Sequence, residues 1–148
     1  MAIDKKATLT YVQLMKEDLA VFRLVPEDGI IPDYEAGQFI TVGMPIPSED
    51  NKVVRRAYSM ASHPENKRFI ELVVRWVRRP LPGRVTTALF NSGEGDEVSW
   101  IPPTGVALKI NEKMGDGTKD DRRIVCVSGG TGIAPFMSFA RHLRAVGD

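Results

Sequence analysis

The chain has 148 residues, 43% hydrophobic and 26% charged, enough to bury a core and too ordinary in composition for a disordered, collagenous or coiled-coil protein. Its 20 Lys and Arg against 19 Asp and Glu leave a net charge of +1, so no global field marks a nucleic-acid or membrane-surface binder. The single cysteine, Cys126, excludes an internal disulfide and any zinc or iron-sulfur site built from several cysteines of this chain, so electron transfer here would need an organic carrier.

Two apolar clusters, 9–14 and 19–25, flank the polar stretch 15–18 and predict a hairpin. Asp28-Gly29, Pro32 and Gly37 favour turns before a third strand over 38–42. Pro45, Pro47 and the polar run 48–52 form a further connection, then 57–60 and 69–77 read as strands with a turn at 64–67. Val85, Leu89 and Phe90 fall at helical spacing after Gly83, with Gly93 or Gly95 as a stop. The segments 97–101 and 106–110 complete the strand set. The expected fold is mainly β: a six-stranded antiparallel Greek-key barrel with one short helix, spanning residues 1–110.

Residues 111–123 are polar and glycine-rich, as in a linker or exposed loop. Ile124-Val125-Cys126-Val127 is a continuous apolar run of the kind buried on both faces in a parallel sheet, with Cys126 as a small buried hydrophobe. Pro135 suits a first helical turn, and Phe136, Met137, Phe139, Ala140 and Leu143 supply an apolar face. Residues 124–148 therefore read as the opening unit of an incomplete α/β, Rossmann-like domain, and the expectation is a fragment of a longer protein. The N-terminal residues carry no apolar signal core, and no run reaches the ~18 apolar residues a membrane helix needs. The reading is a soluble cytoplasmic protein with no membrane partner.

Three motifs carry chemistry. Residues 127–135 read VSGGTGIAP, glycines between a strand and a helix start, where backbone can approach a phosphate and helix N–H groups can receive it. Pro135 occupies the last place of what would otherwise be G-x-G-x-x-G, and an ordinary tight turn is the plain alternative. Arg55-Arg56-Ala57-Tyr58-Ser59 offers a guanidinium fork for phosphate, a flat ring for a planar ligand and a hydroxyl; a charged strand end with a core tyrosine is the alternative. Pro82-Gly83-Arg84-Val85-Thr86-Thr87 places a glycine directly before the short helix, a second anion site or simple capping.

Together with Gly37-Gln38-Phe39, these motifs in this order resemble the ferredoxin-NADP reductase family of flavoproteins along the whole chain. The resemblance implies an FAD-binding barrel followed by a nicotinamide-nucleotide domain. By it, Arg56 would pair with the FAD diphosphate, Tyr58 would pack on the isoalloxazine and Ser59 would lie near the flavin's reactive N5, with Ala57 among the cofactor-binding residues and Tyr58 and Ser59 as the catalytic ones. Val73 and Val74 would face the cofactor, and Gly83, Arg84, Val85 and Thr86 would close on its diphosphate. Thr131 would reach back to the flavin, while Gly129, Gly130, Thr131 and Gly132 would receive NADP, with NAD as the alternative. The implied activity moves electrons between NADPH and a one-electron carrier such as ferredoxin or flavodoxin. The later elements that complete the family's nucleotide domain lie outside this sequence, so the chain itself is expected to keep FAD more readily than NADPH activity.

From 53 to 84 there are eight basic and two acidic residues, a local charge of +6 suited to docking an acidic carrier unless the arginines scatter around the barrel. His63 and His142 have no spacing partner for metal or triad chemistry and read as surface residues; Trp76 and Trp100 read as packing residues. Alternative functions are the reductase component of an oxygenase, a free-flavin reductase, or, in another class, a non-enzymic barrel that binds nucleic acid, against which stands the near-neutral charge.

Overall fold

Alternation of apolar and polar residues folds the first two thirds of the chain into six strands: β1 (Lys5–Lys16), β2 (Leu19–Pro26), β3 (Phe39–Ile46), β4 (Lys52–Ser59), β5 (Ile70–Arg75) and β6 (Glu97–Thr104). Helix α1 (Arg84–Phe90) lies between β5 and β6, and a 3-10 turn (Gly130–Ile133) leads into helix α2 (Ala134–Val146). The computed structural model describes residues 4–104, 108, 113–120 and 122–147. No described helix is long and apolar enough to cross a membrane.

The strands form one antiparallel sheet in the order β4-β3-β6-β1-β2-β5, with β6 inserted between the hairpins β1-β2 and β3-β4. This is the expected Greek-key barrel. In β2 the period is plain, with Ala20, Phe22, Leu24 and Pro26 buried and the residues between them half-buried. The core gathers Leu9, Phe22, Leu24, Ile40, Val42, Leu72 and Trp100, and α1 adds Val85 and Leu89. Trp76 stacks on Phe90 at 5.3 Å and its indole N–H donates to Thr87 Oγ1 at 3.0 Å, so both tryptophans pack as expected.

The two edge strands meet at one point. Met60, just beyond β4, bridges Leu72 of β5, and Ala61 N–H donates to the Glu71 carbonyl at 2.8 Å. A buried polar cluster sits at this seam. Glu71 is 3% exposed, and its carboxylate accepts from Arg23 Nε of β2 at 2.8 Å and from Arg141 Nη1 of α2 at 2.6 Å. Ser62 Oγ accepts from the Glu71 N–H at 3.1 Å and from the Tyr34 hydroxyl at 3.3 Å, while the Ser62 carbonyl accepts from Ser138 Oγ at 2.7 Å. Helix α2 is thereby docked on the barrel, with Ser138 and Phe139 buried.

Several expectations change. The strand expected over 124–127 is not formed: the segment has no regular structure, Val125 and Val127 are each 84% exposed, and Cys126 is exposed, not a buried hydrophobe. A strand buried on both faces needs strands beside it, and none of the six pairs with this one. The strand expected over 106–110 lies outside the described residues except for Leu108. Within 111–123, residues 113–119 are exposed. β4 begins at Lys52 rather than Ala57, β5 spans only Ile70–Arg75, and α1 ends at Phe90 with Asn91 as its cap, before either glycine. His63 and His142 are half-buried rather than fully exposed, their Nδ1 atoms 2.9 and 2.6 Å from the two carboxylate oxygens of Glu65.

Gly37 has φ +89, and a Cβ there would sit 2.4 Å from the Leu108 carbonyl oxygen and 2.8 Å from Phe139 Cζ. Gly37→Ala is expected to cost about 2 kcal/mol, read from chemical denaturation. Burial pushes the Glu71 carboxyl up, but the guanidinium groups of Arg141 and Arg23 outweigh it and hold the carboxyl below its ordinary value of 4.5. The stabilisation from this site is therefore complete above that value and lost as pH falls through the lower folded-state value. Glu71→Gln should melt below the wild type at neutral pH, by the equivalent of about 2 kcal/mol. The gap should close on acidification, and a gap constant down to low pH would contradict the assignment.

Candidate functional site

Beyond the Met60–Leu72 bridge the two edges are unpaired, and a cleft of about 430 Å³ opens between them. Arg56, Ala57 and Tyr58 of β4 form one wall, and Val73, Val74 and Arg75 of β5 the other. Val77, Gly83 and the first turn of α1 (84–86) close one end, and Thr131 of the 3-10 turn reaches the same space. Arg56 and Tyr58 stand two apart on a strand, which puts both side chains on one face.

The polar groups here are of two kinds. Tyr58 is half-buried, its hydroxyl is shielded from solvent with no hydrogen-bond partner among the described residues, and burial pushes its phenol up to about 12. A tyrosine so placed presents a flat apolar face with one polar atom still to be satisfied. Arg56 has no acidic partner among the described residues; its Nη1 donates to the neighbouring Arg55 carbonyl at 2.8 Å. The other two cleft arginines are paired, Arg84 with Glu49 at 2.9 Å and Arg75 with Asp18 at 3.2 Å.

The α1 end of the cleft is built by Gly83. Its N–H donates to the Val77 carbonyl at 2.8 Å, its carbonyl accepts from Thr87 N–H and from Thr86 Oγ1, and Thr86 Oγ1 accepts from Val77 N–H at 3.3 Å. This folds the loop back on itself and leaves the first-turn N–H groups of 84–86 without intrahelical acceptors. A guanidinium with no acidic partner among the described residues, first-turn amides and a flat ring across the cleft from β5 suit a ligand anionic at one end and planar at the other.

The residues singled out from sequence fall into three groups. Arg56, Ala57, Tyr58, Val73, Val74, Gly83, Arg84, Val85, Thr86 and Thr131 all line the one cleft. Ser59 is half-buried at the end of β4, opposite Phe39, and is not part of the lining. Gly129, Gly130 and Gly132 are exposed and stand outside it too, although Gly130, with φ +55, runs beside Arg75. Arg75 and Val77 line the cleft without having been singled out, and Arg75 was findable because it shares a strand face with Val73.

The basic stretch 53–84 is largely neutralised by acids from elsewhere in the sequence. Arg55 pairs with Asp4, Lys67 with Asp33, Arg75 with Asp18, Arg78 with Glu17 and Arg84 with Glu49. Among the described residues only Arg56, Arg68 and Arg79 of this stretch lack an ion pair, so the local +6 is not a continuous positive face. No group of described His, Cys, Asp and Glu residues is arranged to hold a metal.

The chain is 32% identical over 133 residues to a flavohemoprotein of Bordetella pertussis, a match covering 88% of this chain and 31% of that protein. To the phthalate dioxygenase reductase of Burkholderia cepacia it is 33% identical over 133 residues, covering 88% and 36%. The chain thus spans about a third of the length of these curated relatives. Its fold superimposes with a TM-score of 0.80 on the FAD/NAD-binding domain of a nitric oxide dioxygenase from Vibrio cholerae, at 24% identity, covering 96% of this chain and 57% of that one.

A Cβ on Gly83 would lie 2.6 Å from Thr86 Oγ1 and 3.0 Å from Val77 Cβ, so Gly83→Ala is expected to open this end of the cleft. The cost should be about 1–2 kcal/mol in thermal unfolding, with Thr86→Val losing a similar amount through the unmade loop bonds. The family model for the oxidoreductase FAD-binding domain matches residues 6–107, and the chain belongs to that family.

Proposed function

We propose that this chain is the FAD-holding part of a reductase that takes electrons from a nicotinamide nucleotide and delivers them singly to a protein acceptor, a ferredoxin or flavodoxin in the reading its motifs favour. The observation that carries it is the convergence of Arg56, Tyr58, Val73, Val74, Gly83, Arg84, Val85, Thr86 and Thr131 on one cleft from four separate stretches of sequence. The redox chemistry, exchange of an electron pair for single electrons, is supplied by FAD when it is bound.

The chain's own residues do the holding. Arg56, without an acidic partner among the described residues, would take the diphosphate charge, and the first-turn amides of 84–86 would share it. Tyr58 would offer its ring to the planar part of the cofactor and its unsatisfied hydroxyl as a hydrogen-bonding group. Val73 and Val74 keep water from the other wall. Thr131 would approach from the glycine turn, whose Gly129, Gly130 and Gly132 would leave room for NADP or NAD, while Ser59 lies outside the cleft lining. No acid or base of this chain is required.

A second reading, the reductase component of an oxygenase, is favoured by the similarity to phthalate dioxygenase reductase. The two share the FAD cleft and differ in the acceptor.

The test is the visible spectrum of the purified chain after FAD is added and unbound cofactor removed. Retained bands near ~370 and ~450 nm are expected, and a colourless protein in excess FAD counts against the assignment. Arg56→Gln should weaken FAD binding by about 10–100-fold, the worth of one charge-assisted contact, while leaving the melting temperature of the apoprotein within a degree or so. Unchanged affinity would remove Arg56 from the site.

A further inference from the structure

The wall of the cleft that does not belong to the barrel is the turn carrying Thr131, and it has to be held in place by something. The turn is continuous with α2, and residues 122–129 upstream of it are exposed and without regular structure. Apart from the approach of Gly130 to Arg75, its attachment to the barrel runs through the helix. Along α2 the contacts with the barrel are Ser138 Oγ on the Ser62 carbonyl, Phe139 against Gly37, Arg141 on Ala61 and Glu71, and His142 on Glu65.

Arg141 differs from the rest in making two hydrogen bonds from one guanidinium, one of them to a buried carboxylate. Its Nη1 donates to the Ala61 carbonyl at 2.8 Å and to Glu71 Oε1 at 2.6 Å, and the other oxygen of that buried carboxylate is held by Arg23 at 2.8 Å. An apolar contact such as Phe139 tolerates rotation of the helix about its axis, whereas two bonds from one planar guanidinium to two fixed acceptors do not. Arg141 lies seven residues from the first residue of α2, so about 10 Å of rigid helix separates this anchor from the turn.

We propose that Arg141 is a positioning residue for the cleft: bound to Glu71 at the barrel seam, it fixes the rotation of α2 and so holds the Gly130–Ile133 turn, with Thr131, against the open edge of the barrel. Only the effect on a bound flavin rests on the FAD reading; the anchoring does not. Arg141 touches no cleft ligand, and its substitution should uncouple the turn from the barrel while the barrel stays folded, because Arg23 still pairs with Glu71.

The experiment is amide hydrogen exchange of the apoprotein, followed by iodide quenching of flavin fluorescence in the FAD-loaded protein, for wild type, Arg141→Ala and Arg141→Lys. Exchange over 130–146 is expected to rise about tenfold in Arg141→Ala, with the six strands unchanged and most of the protection restored in Arg141→Lys. FAD affinity should stay within about threefold of wild type, while quenching by iodide rises severalfold as the turn leaves the cleft. Arg141→Met, which keeps the aliphatic stem, is read in the same way and covers failure of the alanine variant to fold. Unchanged exchange over 130–146, equal acceleration in the strands, or a lysine variant no better than alanine would each overturn the proposal. Absence of FAD binding in every form, wild type included, would sink the flavin reading, and the exchange data would still decide this one.

Discussion

A carboxylate buried where a sheet closes on itself is the constraint around which this molecule is organised. Glu71 is paid for by two guanidinium groups, one from β2 and one from α2, and its own backbone joins the two free edges of the sheet through Ala61. An unpaired charge at 3% exposure would be expensive, so each arginine is obliged to stay. The same obligation ties together three parts of the chain that are far apart in sequence. Ser62 extends the cluster, receiving the Tyr34 hydroxyl on its side chain and the Ser138 hydroxyl on its carbonyl, so the loop after β4, the loop before β3 and the last helix share one polar node.

The cleft exists because that closure is local. Were β4 and β5 paired along their length, a continuous ladder of backbone hydrogen bonds would leave no gap between the two edges. Instead a single bridge at Met60 and Leu72 holds the edges at one end, and beyond it the strands part with side chains facing into the gap. The loop before α1 fills one side through the turn at Gly83 and the turn before α2 the other. An open strand edge is ordinarily a hazard for aggregation. Here it is the wall of a cleft, which explains how a barrel with a filled core still carries an open space of about 430 Å³.

Much of this was legible in the sequence, for identifiable reasons. β2 alternates cleanly, Val85 and Leu89 recur at helical spacing, and the cleft residues lie in short motifs whose order is informative even where each alone is weak. The start of β4 was hidden because Lys52, Arg55, Arg56 and Ala57 are all exposed, so the strand has little alternation to read. Ile124 to Val127 misled because a continuous apolar run records the burial a segment is suited to, not whether neighbouring strands are there to provide it. Glu71 with Arg141, and Glu65 with His142, join residues 70 and 77 positions apart, and no periodic pattern announces such pairs. The same blindness inflated the basic stretch, whose neutralising acids come from positions 4, 17, 18, 33 and 49.

The insertion of β6 between β1 and β3 also has a kinetic side. Lys5 pairs with Trp100 and Thr8 with Glu97, so the first strand waits for one of the last before its second edge is satisfied. The hairpins β1-β2 and β3-β4 are local and can form early, but joining them requires closing a loop of most of the barrel's length. A chain emerging from the ribosome therefore exposes the inner faces of both hairpins until β6 has been made. Folding of this barrel is slow by topology, and its rate should answer to substitutions in β6, at Val98 and Trp100, more than to equally buried residues in either hairpin.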